Sequence, residues 1–279
     1  MIPLPLLGET AVAPDLKEAP SRIRDRLSRT MLKAVGDYGL IQEGDKILVA
    51  VSGGKDSYTL LDLLCDARKR APIDFELVAV HLDQGQPGYD GRALESWLKT
   101  LEVPHEIIHE DTYSIVLKQA SDNATYCAPC SRLRRGILYS AAERHGCNKL
   151  ALGHHRDDAL ETLLMNLFYA GRLQAMPARY RTVDGRFEVI RPLIECAEAD
   201  LVRHAAHAGY AIIPCNLCGA QPGLKRDQAA ELLDTLERLN PNVRNVMLSA
   251  LKNVRPSHLL DAEVAEAWEA ASGKYAPRK

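Results

Sequence analysis

The stretch SGGKDS, residues 52–57, combines the residue types that a phosphate-binding loop requires. Adjacent glycines let the backbone turn sharply and present successive N–H groups to an anion. The helix predicted after them points its positive end at the same place. Lys55 adds a mobile positive charge, and Asp56 can hold Mg²⁺ against bound phosphates. The spacing differs from the Walker pattern, and the alternative is an ordinary glycine turn before a helix. The expected ligands are Ser52, Gly53, Gly54, Lys55, Asp56 and Ser57.

Four of the seven cysteines form two C-x-x-C pairs, Cys127/Cys130 and Cys215/Cys218. The gap between the pairs is severalfold longer than that of a zinc finger, so the fold would have to assemble a shared site. Thiolate ligands suit zinc or an iron–sulfur cluster, and the spacing does not choose between them. Two unrelated pairs in turns remain the structural alternative. The other three cysteines, Cys65, Cys147 and Cys196, are interpreted as small core residues.

Alternating strand and helix patterns must position these groups. Short apolar runs predict strands at 46–51, 75–83, 105–110, 149–153 and 187–193. Four-residue periodicity predicts helices at 22–35, 58–70, 90–101, 131–145, 157–171, 197–208, 226–239 and 242–253. This order is typical of an α/β fold with a doubly wound, mainly parallel sheet covered by helices on both sides.

We expect four segments along the chain: a flexible arm at 1–20, an α/β domain at 21–220 that carries both cysteine pairs, a helical segment at 221–265, and a frayed tail at 266–279. The net charge of −2 gives no global positive field, so a nucleic acid would be held by local patches. No signal peptide and no membrane-spanning apolar run are evident. We therefore predict a cytoplasmic protein with reduced cysteines and no membrane partner.

The S-G-G-x-D-S loop after a strand resembles that of the PP-loop ATP pyrophosphatases, which have a Rossmann-like (HUP-type) fold. The resemblance implies ATP cleavage between the α- and β-phosphates and adenylation of a substrate oxygen. It places Asp83 and Gly153, at the ends of two predicted strands, in the ATP site. Lys55, Asp56 and Asp158 would be catalytic, with Asp56 and Asp158 on magnesium and Asp157 as second choice. The alternative for Asp158 is a helix-capping box with Glu161.

Together the loop and the stretches YCAPCSRLRRG, LGHHRDD, IPCNLCG and PSHLLD resemble the tRNA 2-thiocytidine synthetases, over about residues 25–262. This resemblance implies thiolation of the cytidine at position 32, in the anticodon loop of tRNA. It also implies a [4Fe-4S] cluster held by Cys127, Cys130 and Cys218, with Cys215 as the alternative third ligand. A cysteine desulfurase as sulfur donor and a homodimer are the further partners it implies.

Arginines beside the first cysteine pair are candidates for the tRNA contact, and we select Arg134 and Arg135. The alternative is a solvated helix face. Two rival functions are kept open: a cluster-free tRNA thiolase that uses redox cysteines, and a non-catalytic nucleotide- or RNA-binding module. Asp56 argues against the non-catalytic module, because a loop that only binds phosphate through its backbone N–H groups does not require a carboxylate.

Overall fold

The computed structural model describes residues 18–119, 127–213 and 225–272, and the side chains of Gln119, Cys127, Ala128 and Ser272 are not described. The strands are β1 (Lys46–Ala50), β2 (Glu76–Asp83), β3 (His105–His109), β4 (Lys149–Ala151), β5 (Arg179–Arg181) and β6 (Glu188–Ile190). The helices are α1 (Pro20–Tyr38), α2 (Lys55–Arg70), α3 (Arg92–Thr100), α4 (Thr112–Gln119), α5 (Cys127–Arg144), α6 (Arg156–Met165), α7 (Glu198–Ala208), α8 (Lys225–Leu239), α9 (Val243–Lys252) and α10 (Ala262–Ser272).

The strands form one six-stranded sheet in the order β3-β2-β1-β4-β6-β5. Neighbouring strands are parallel, except that β5 pairs antiparallel with β6. The strand order reverses between β1 and β4, and ligands of open α/β sheets bind at the carboxyl ends of strands at such a point. The predicted mainly parallel sheet is confirmed. Strand β5 was not predicted, because its three residues, Arg-Tyr-Arg, contain no apolar run.

The central strand β1 is buried on both faces, which explains its continuous apolar sequence. Ile47 and Val49 lie in a core formed with α1, α2, α3 and α7. Leu48 and Ala50 point to the other face and pack with Leu138 and other residues of α5. The two faces together hold the carboxyl end of β1 in place, and this rigid end carries the phosphate loop.

Helices α8 and α9 pack on α6, and the predicted helical appendage is confirmed. Leu160 and Leu164 of α6 contact Ala229 and Leu233 of α8 in a separate small core. The last helix, Ala262–Ser272, differs from the sequence-based expectation, because the tail was expected to be frayed from residue 266. The first seven residues of that stretch are helical.

The predicted helix at 157–171 consists of two parts. Helix α6 ends at Met165, and a π-helix, Asn166–Ala170, follows it directly. Gly171 ends the π-helix with φ of 60°, as a left-handed cap, and its N–H donates to the carbonyl of Asn166. Within the described part of the chain, no helix is both long and apolar enough to cross a membrane.

Candidate active site

The phosphate loop connects β1 to α2 at the switch point of the sheet. Gly53 has φ of 83°, in the region that favours glycine. The hydroxyl of Ser57 accepts a hydrogen bond from the Ser52 N–H at 3.1 Å and donates one to the Gly54 carbonyl at 2.9 Å. Gly54 is the N-cap of α2. The two serines therefore brace the loop, and the positive end of α2 opens onto it.

Lys55 and Asp56 form a partly buried charged pair at the start of α2. Lys55 Nζ lies 3.3 Å from Asp56 Oδ2 and 2.9 Å from Glu198 Oε1. Burial opposes the charge of Lys55, but the two carboxylates outweigh it and raise the Lys55 pKa. Burial also raises the pKa of Asp56, against the opposing effects of Lys55 and His155. Among the described residues, Asp56 Oδ1 is buried and has no hydrogen-bond partner.

Gly153 brings the β4 end against the phosphate loop. A Cβ on Gly153 would lie 3.1 Å from the Asp56 carbonyl carbon and 3.1 Å from the Ser57 nitrogen. Such contacts are tighter than van der Waals packing allows, so the backbones approach this closely only because residue 153 lacks a side chain. The structure thus places Gly153 beside the loop rather than inside it.

His155 joins the two carboxylates proposed for magnesium. It is the N-cap of α6 and forms a capping box with Asp158, whose Oδ2 accepts the His155 N–H at 2.9 Å. The alternative considered for Asp158, a capping box with Glu161, is wrong, because the N-cap of α6 is His155, three residues before Asp158. His155 Nε2 lies 3.5 Å from Asp158 Oδ2 and 3.9 Å from Asp56 Oδ1. Asp56 and Asp158 therefore converge on one ring nitrogen.

Asp157, the second choice for magnesium, is buried, and its carboxylate is fully engaged in hydrogen bonds that join helices. Its carboxylate accepts hydrogen bonds from Arg244 Nη1 at 2.7 Å, Arg156 Nη2 at 3.2 Å and the Glu198 N–H at 2.8 Å. The residue is only 2% exposed. Burial opposes its charge, but the two guanidinium groups and the N–H donor lower the Asp157 pKa. Asp157 thus connects α6 to α7 and α9.

Asp83 lies at the end of β2, with its carboxylate engaged locally. Oδ1 accepts the Gly85 N–H at 2.9 Å, and Oδ2 lies 3.0 Å from His109 Nδ1. The neighbouring residue, Gln84, faces the cavity described next. Sequence reasoning selected the charged residue at this strand end, whereas in the structure the uncharged one lines the cavity.

A cavity of about 170 Å³ lies between the phosphate loop and α5. Its wall is formed by Ala50, Val51, Ser52, Gly54, Val80, His81, Leu82, Gln84, Gln86, Tyr89, Arg134, Leu138 and Ile213. His81 Nδ1 lies 2.7 Å from the Val51 carbonyl and must therefore carry a proton. His81 Nε2, 2.6 Å from the Tyr89 hydroxyl, accepts from it. This chain of hydrogen bonds orients the Tyr89 ring along the cavity.

The first cysteine pair is next to this cavity. Cys130 is buried, and its Sγ donates to Gln84 Oε1 at 3.3 Å. Cys127 is the first residue of the same helix, one turn before Cys130. The second pair, Cys215 and Cys218, lies outside the described residues. The chain that leads to it is bound to the loop, because the Ile213 N–H donates to the Gly53 carbonyl at 2.9 Å.

The two arginines selected for RNA occupy different environments. Arg134 lines the cavity, whereas Arg135 is exposed and donates from Nε to the Ser131 carbonyl. Arg226, although exposed, also pairs with two acids: it lies 3.2 Å from Asp158 Oδ1 and 2.9 Å from Glu161 Oε2.

Sequence reasoning missed Glu198, Gln84 and Arg191. Glu198 is the first residue of α7 and reaches Lys55 across the sheet edge. Arg191, which follows β6, donates from Nε to His154 Nδ1 at 3.3 Å. Burial, with Arg191 and Arg226 nearby, lowers the pKa of His154 to about 4. For Glu198 the sequence signal was its place in the first turn of a predicted helix. Acidic residues are common there because they interact favourably with the helix dipole, so this position alone did not indicate a role in the site.

The sheet order and the loop after β1 define a PP-loop domain, and residues 23–213 match that family. The tRNA-cytidine(32) 2-sulfurtransferase of Deinococcus radiodurans is 51% identical over 245 residues, which cover 88% of this chain and 82% of that protein. The protein of the same name from Sorangium cellulosum is 52% identical over 240 residues, covering 86% and 85% of the two chains. The chain therefore belongs to the tRNA-cytidine(32) 2-sulfurtransferase family, and the resemblance seen in the sequence is confirmed.

A solved structure also shares the fold. The U34-tRNA thiolase NcsA from Methanococcus maripaludis, with its [4Fe-4S] cluster, matches with a TM-score of 0.65. The match covers 90% of this chain and 89% of that chain, at 21% sequence identity. At this identity, the likeness concerns the arrangement of the helices and strands.

Proposed function

We propose that this protein converts the cytidine at position 32 of tRNA to 2-thiocytidine, with ATP as the activating substrate. The observation that carries the proposal is the shared cavity, whose wall contains Ser52 and Gly54 of the phosphate loop and also Gln84, the partner of Cys130. A base in this cavity would lie between the loop that binds ATP and Cys130, one of the proposed cluster ligands. Membership of the tRNA-cytidine(32) 2-sulfurtransferase family supports the same substrate.

Asp56 and Asp158 are proposed to hold Mg²⁺. Carboxylate oxygens are the ligands that Mg²⁺ prefers, and it usually shares them with substrate phosphates. Asp56 Oδ1 is buried without a hydrogen-bond partner among the described residues, which leaves an acceptor available to a cation. Asp158 faces the same imidazole nitrogen. The residues present fit the ion.

We propose that Cys127 and Cys130 help to hold an iron–sulfur cluster. Cys127 and Cys130 lie one turn apart at the beginning of α5, where the helix N-terminus favours thiolates. As the family resemblance implies, we propose Cys218 as the third ligand, with Cys215 as the alternative. A [4Fe-4S] cluster held by three cysteines supplies an iron with an open position for sulfide.

The chain's own residues bind and orient the substrates. The N–H groups of the loop, Lys55, and the hydroxyls of Ser52 and Ser57 bind the β- and γ-phosphates of ATP. The cytosine C2 oxygen then attacks the α-phosphorus, the bond to the bridging oxygen breaks, and pyrophosphate leaves. Sulfide forms a bond to C2, the C2–O bond breaks, and AMP departs. Extruding an unpaired loop base makes this chemistry accessible.

The test is an anaerobic assay of the reconstituted full-length chain with tRNA, ATP, Mg²⁺ and sulfide. We expect AMP, pyrophosphate and 2-thiocytidine in equal amounts, and no AMP without tRNA. Asp158→Asn should reduce AMP formation and Mg²⁺ dependence together. ATP binding without any AMP would mean that the protein is a non-catalytic module.

Iron and sulfide counts on cysteine variants test the cluster separately. Cys127→Ala, Cys130→Ala and Cys218→Ala should lose the visible absorption, and Cys215→Ala should keep it. If Cys215→Ala lost the absorption and Cys218→Ala kept it, Cys215 would be the third ligand. A colourless wild type that still thiolates tRNA would mean a cluster-free thiolase with redox cysteines. A cysteine desulfurase as sulfur source and a homodimer remain proposals, which sulfur-35 transfer and light scattering can test.

A further inference from the structure

Four large apolar side chains are exposed within seven residues at the end of α6. The exposed fractions are 45% for Leu167, 60% for Phe168, 49% for Tyr169 and 64% for Leu173. We call these four residues the Phe168 patch. Single exposed apolar residues are common on protein surfaces, but a local concentration marks an interaction site.

The backbone under the patch has a defined conformation. Leu167, Phe168 and Tyr169 belong to the π-helix, a type of helix that is frequent at functional sites. The Asn166 side-chain amide donates to the Gln174 carbonyl at 2.8 Å, which closes the segment after Gly171. The Tyr169 hydroxyl donates to Gln228 Oε1 of α8 at 2.6 Å. The aromatic rings are thus presented from a fixed support.

The surroundings of the patch are basic. Lys225 Nζ lies 4.7 Å from the centre of the Tyr169 ring, in a cation–π contact. Arg172, directly after the π-helix, is exposed. Exposed aromatic rings with adjacent cations are the combination that binds unpaired nucleic-acid strands, where bases stack and phosphates pair with the cations. An interface with a second copy of this chain would have to desolvate Lys225 and Arg172, whereas RNA phosphates would pair with both.

The patch is linked to the active site through α8. Lys225 contacts Tyr169, and the next residue, Arg226, contacts Asp158 and Glu161. Ten residues separate Asp158 from Phe168, which at a helical rise corresponds to about 15 Å. That distance is about four stacked nucleotides at 3.4 Å each. A base stacked on Phe168 and a base at the active site can therefore belong to one RNA loop.

We propose that Phe168 and Tyr169 form a stacking platform for an unpaired base of the RNA loop that carries the target cytidine. This proposal rests on the proposed function. Phe168 is the more exposed ring, and Tyr169 is held by Gln228 and Lys225. The platform would give affinity with little dependence on the identity of the base.

The test compares Phe168→Ala and Phe168→Trp with wild type in binding to an RNA hairpin that contains the target loop, measured by fluorescence anisotropy at several salt concentrations. We expect Phe168→Ala to weaken the affinity by about 5- to 150-fold, with an unchanged salt slope because no cation is removed. Phe168→Trp should retain the affinity. Lys225→Gln should lower the salt slope by about one. Val183→Ala, at a fully exposed apolar residue after β5, is the control and should change nothing.

Three outcomes would overturn the platform. Phe168→Ala could leave hairpin affinity unchanged, wild type could bind a loopless duplex as tightly as the hairpin, or Phe168→Ala could change the mass measured by light scattering. The last result would assign the patch to a second copy of the chain. Hairpin binding that depends on Phe168, in a protein that forms no 2-thiocytidine, would support the platform and refute the proposed function.

Discussion

The ammonium group of Lys55 lies 2.9 Å from the carboxylate of Glu198, a residue 143 positions later in the chain. In a loop built to bind phosphates, the lysine thus already holds a carboxylate. Phosphates of ATP that reach Lys55 must approach an acid that repels them. We therefore propose that Glu198 lowers the affinity of the loop for anions.

Glu198→Gln is expected to strengthen ATP binding in the absence of Mg²⁺ by about 2- to 5-fold, the range of a partly exposed ion pair. The Glu198 N–H that bonds Asp157 is retained in this variant. Isothermal titration calorimetry measures the effect. Glu102→Gln, which removes an exposed acid 3.9 Å from Lys69, is the control. Weaker binding by Glu198→Gln would show that the carboxylate helps to hold the nucleotide.

Gly153→Ala is expected to lower the free energy of unfolding by about 1–3 kcal/mol, because the new methyl group would press on the backbone of Asp56 and Ser57. ATP affinity should fall as well, since the loop must move. Denaturant unfolding and calorimetry measure the two effects. The matched control is Gly136→Ala, in α5, where a Cβ meets nothing within 4 Å. That variant should gain about 0.5–1 kcal/mol, and equal effects at both sites would contradict the prediction.

In mild acid His154 should contribute a loss of stability, opposite in sign to the contribution of Glu161, whose pKa burial raises to about 7. The folded pKa of His154, about 4, lies below the unfolded value near 6.5, so its contribution is present above pH 6.5 and is lost as the pH falls toward 4. From pH 7.5 to 5 the loss attributable to His154 is about 2 kcal/mol. His154→Asn, which keeps an acceptor for Arg191, should remove this part of the slope. Urea unfolding at several pH values measures it, with exposed His258→Asn as the control that should not alter the slope.

Arg244→Met is expected to destabilise the protein by about 2–4 kcal/mol, because it removes one guanidinium from the buried Asp157 carboxylate. Because methionine fills part of the volume of the arginine side chain, the loss of stability mainly reports the loss of the positive charge beside Asp157. Guanidinium unfolding measures the loss. Arg238→Met, on the exposed side of α8, should stay within about 0.5 kcal/mol of wild type. A neutral Arg244→Met would mean that Arg156 and the Glu198 N–H suffice for Asp157.

The fold followed from the sequence because its signals are local. The apolar run at 46–51 and the glycines after it predict a buried strand and a turn, and the structure has β1 at Lys46–Ala50. Boundaries that depend on tertiary packing were less accurate. The strand predicted at 187–193 shortens to Glu188–Ile190, and the helix predicted at 157–171 changes to a π-helix after Met165.

The sequence predicted the candidate site only where several of its side chains lie in one continuous segment. The loop residues 52–57 are consecutive, so their proximity needed no fold. Glu198, Gln84 and Arg244 reach the site from other elements, and no spacing rule in the sequence joins them to Lys55, Cys130 or Asp157. His155 illustrates the same limit, since its capping role depends on the residue at which α6 begins.

The hydrogen bond from Ile213 to Gly53 joins the phosphate loop to the start of the segment that contains Cys215 and Cys218. Ile213 also packs against Gly53, where an added Cβ would lie 2.8 Å from its side chain. We therefore expect nucleotide binding at the loop and occupancy of the proposed cysteine site to be thermodynamically linked. Whatever factor ATP applied to the affinity of these cysteines for a cofactor, the cofactor would apply to the affinity for ATP.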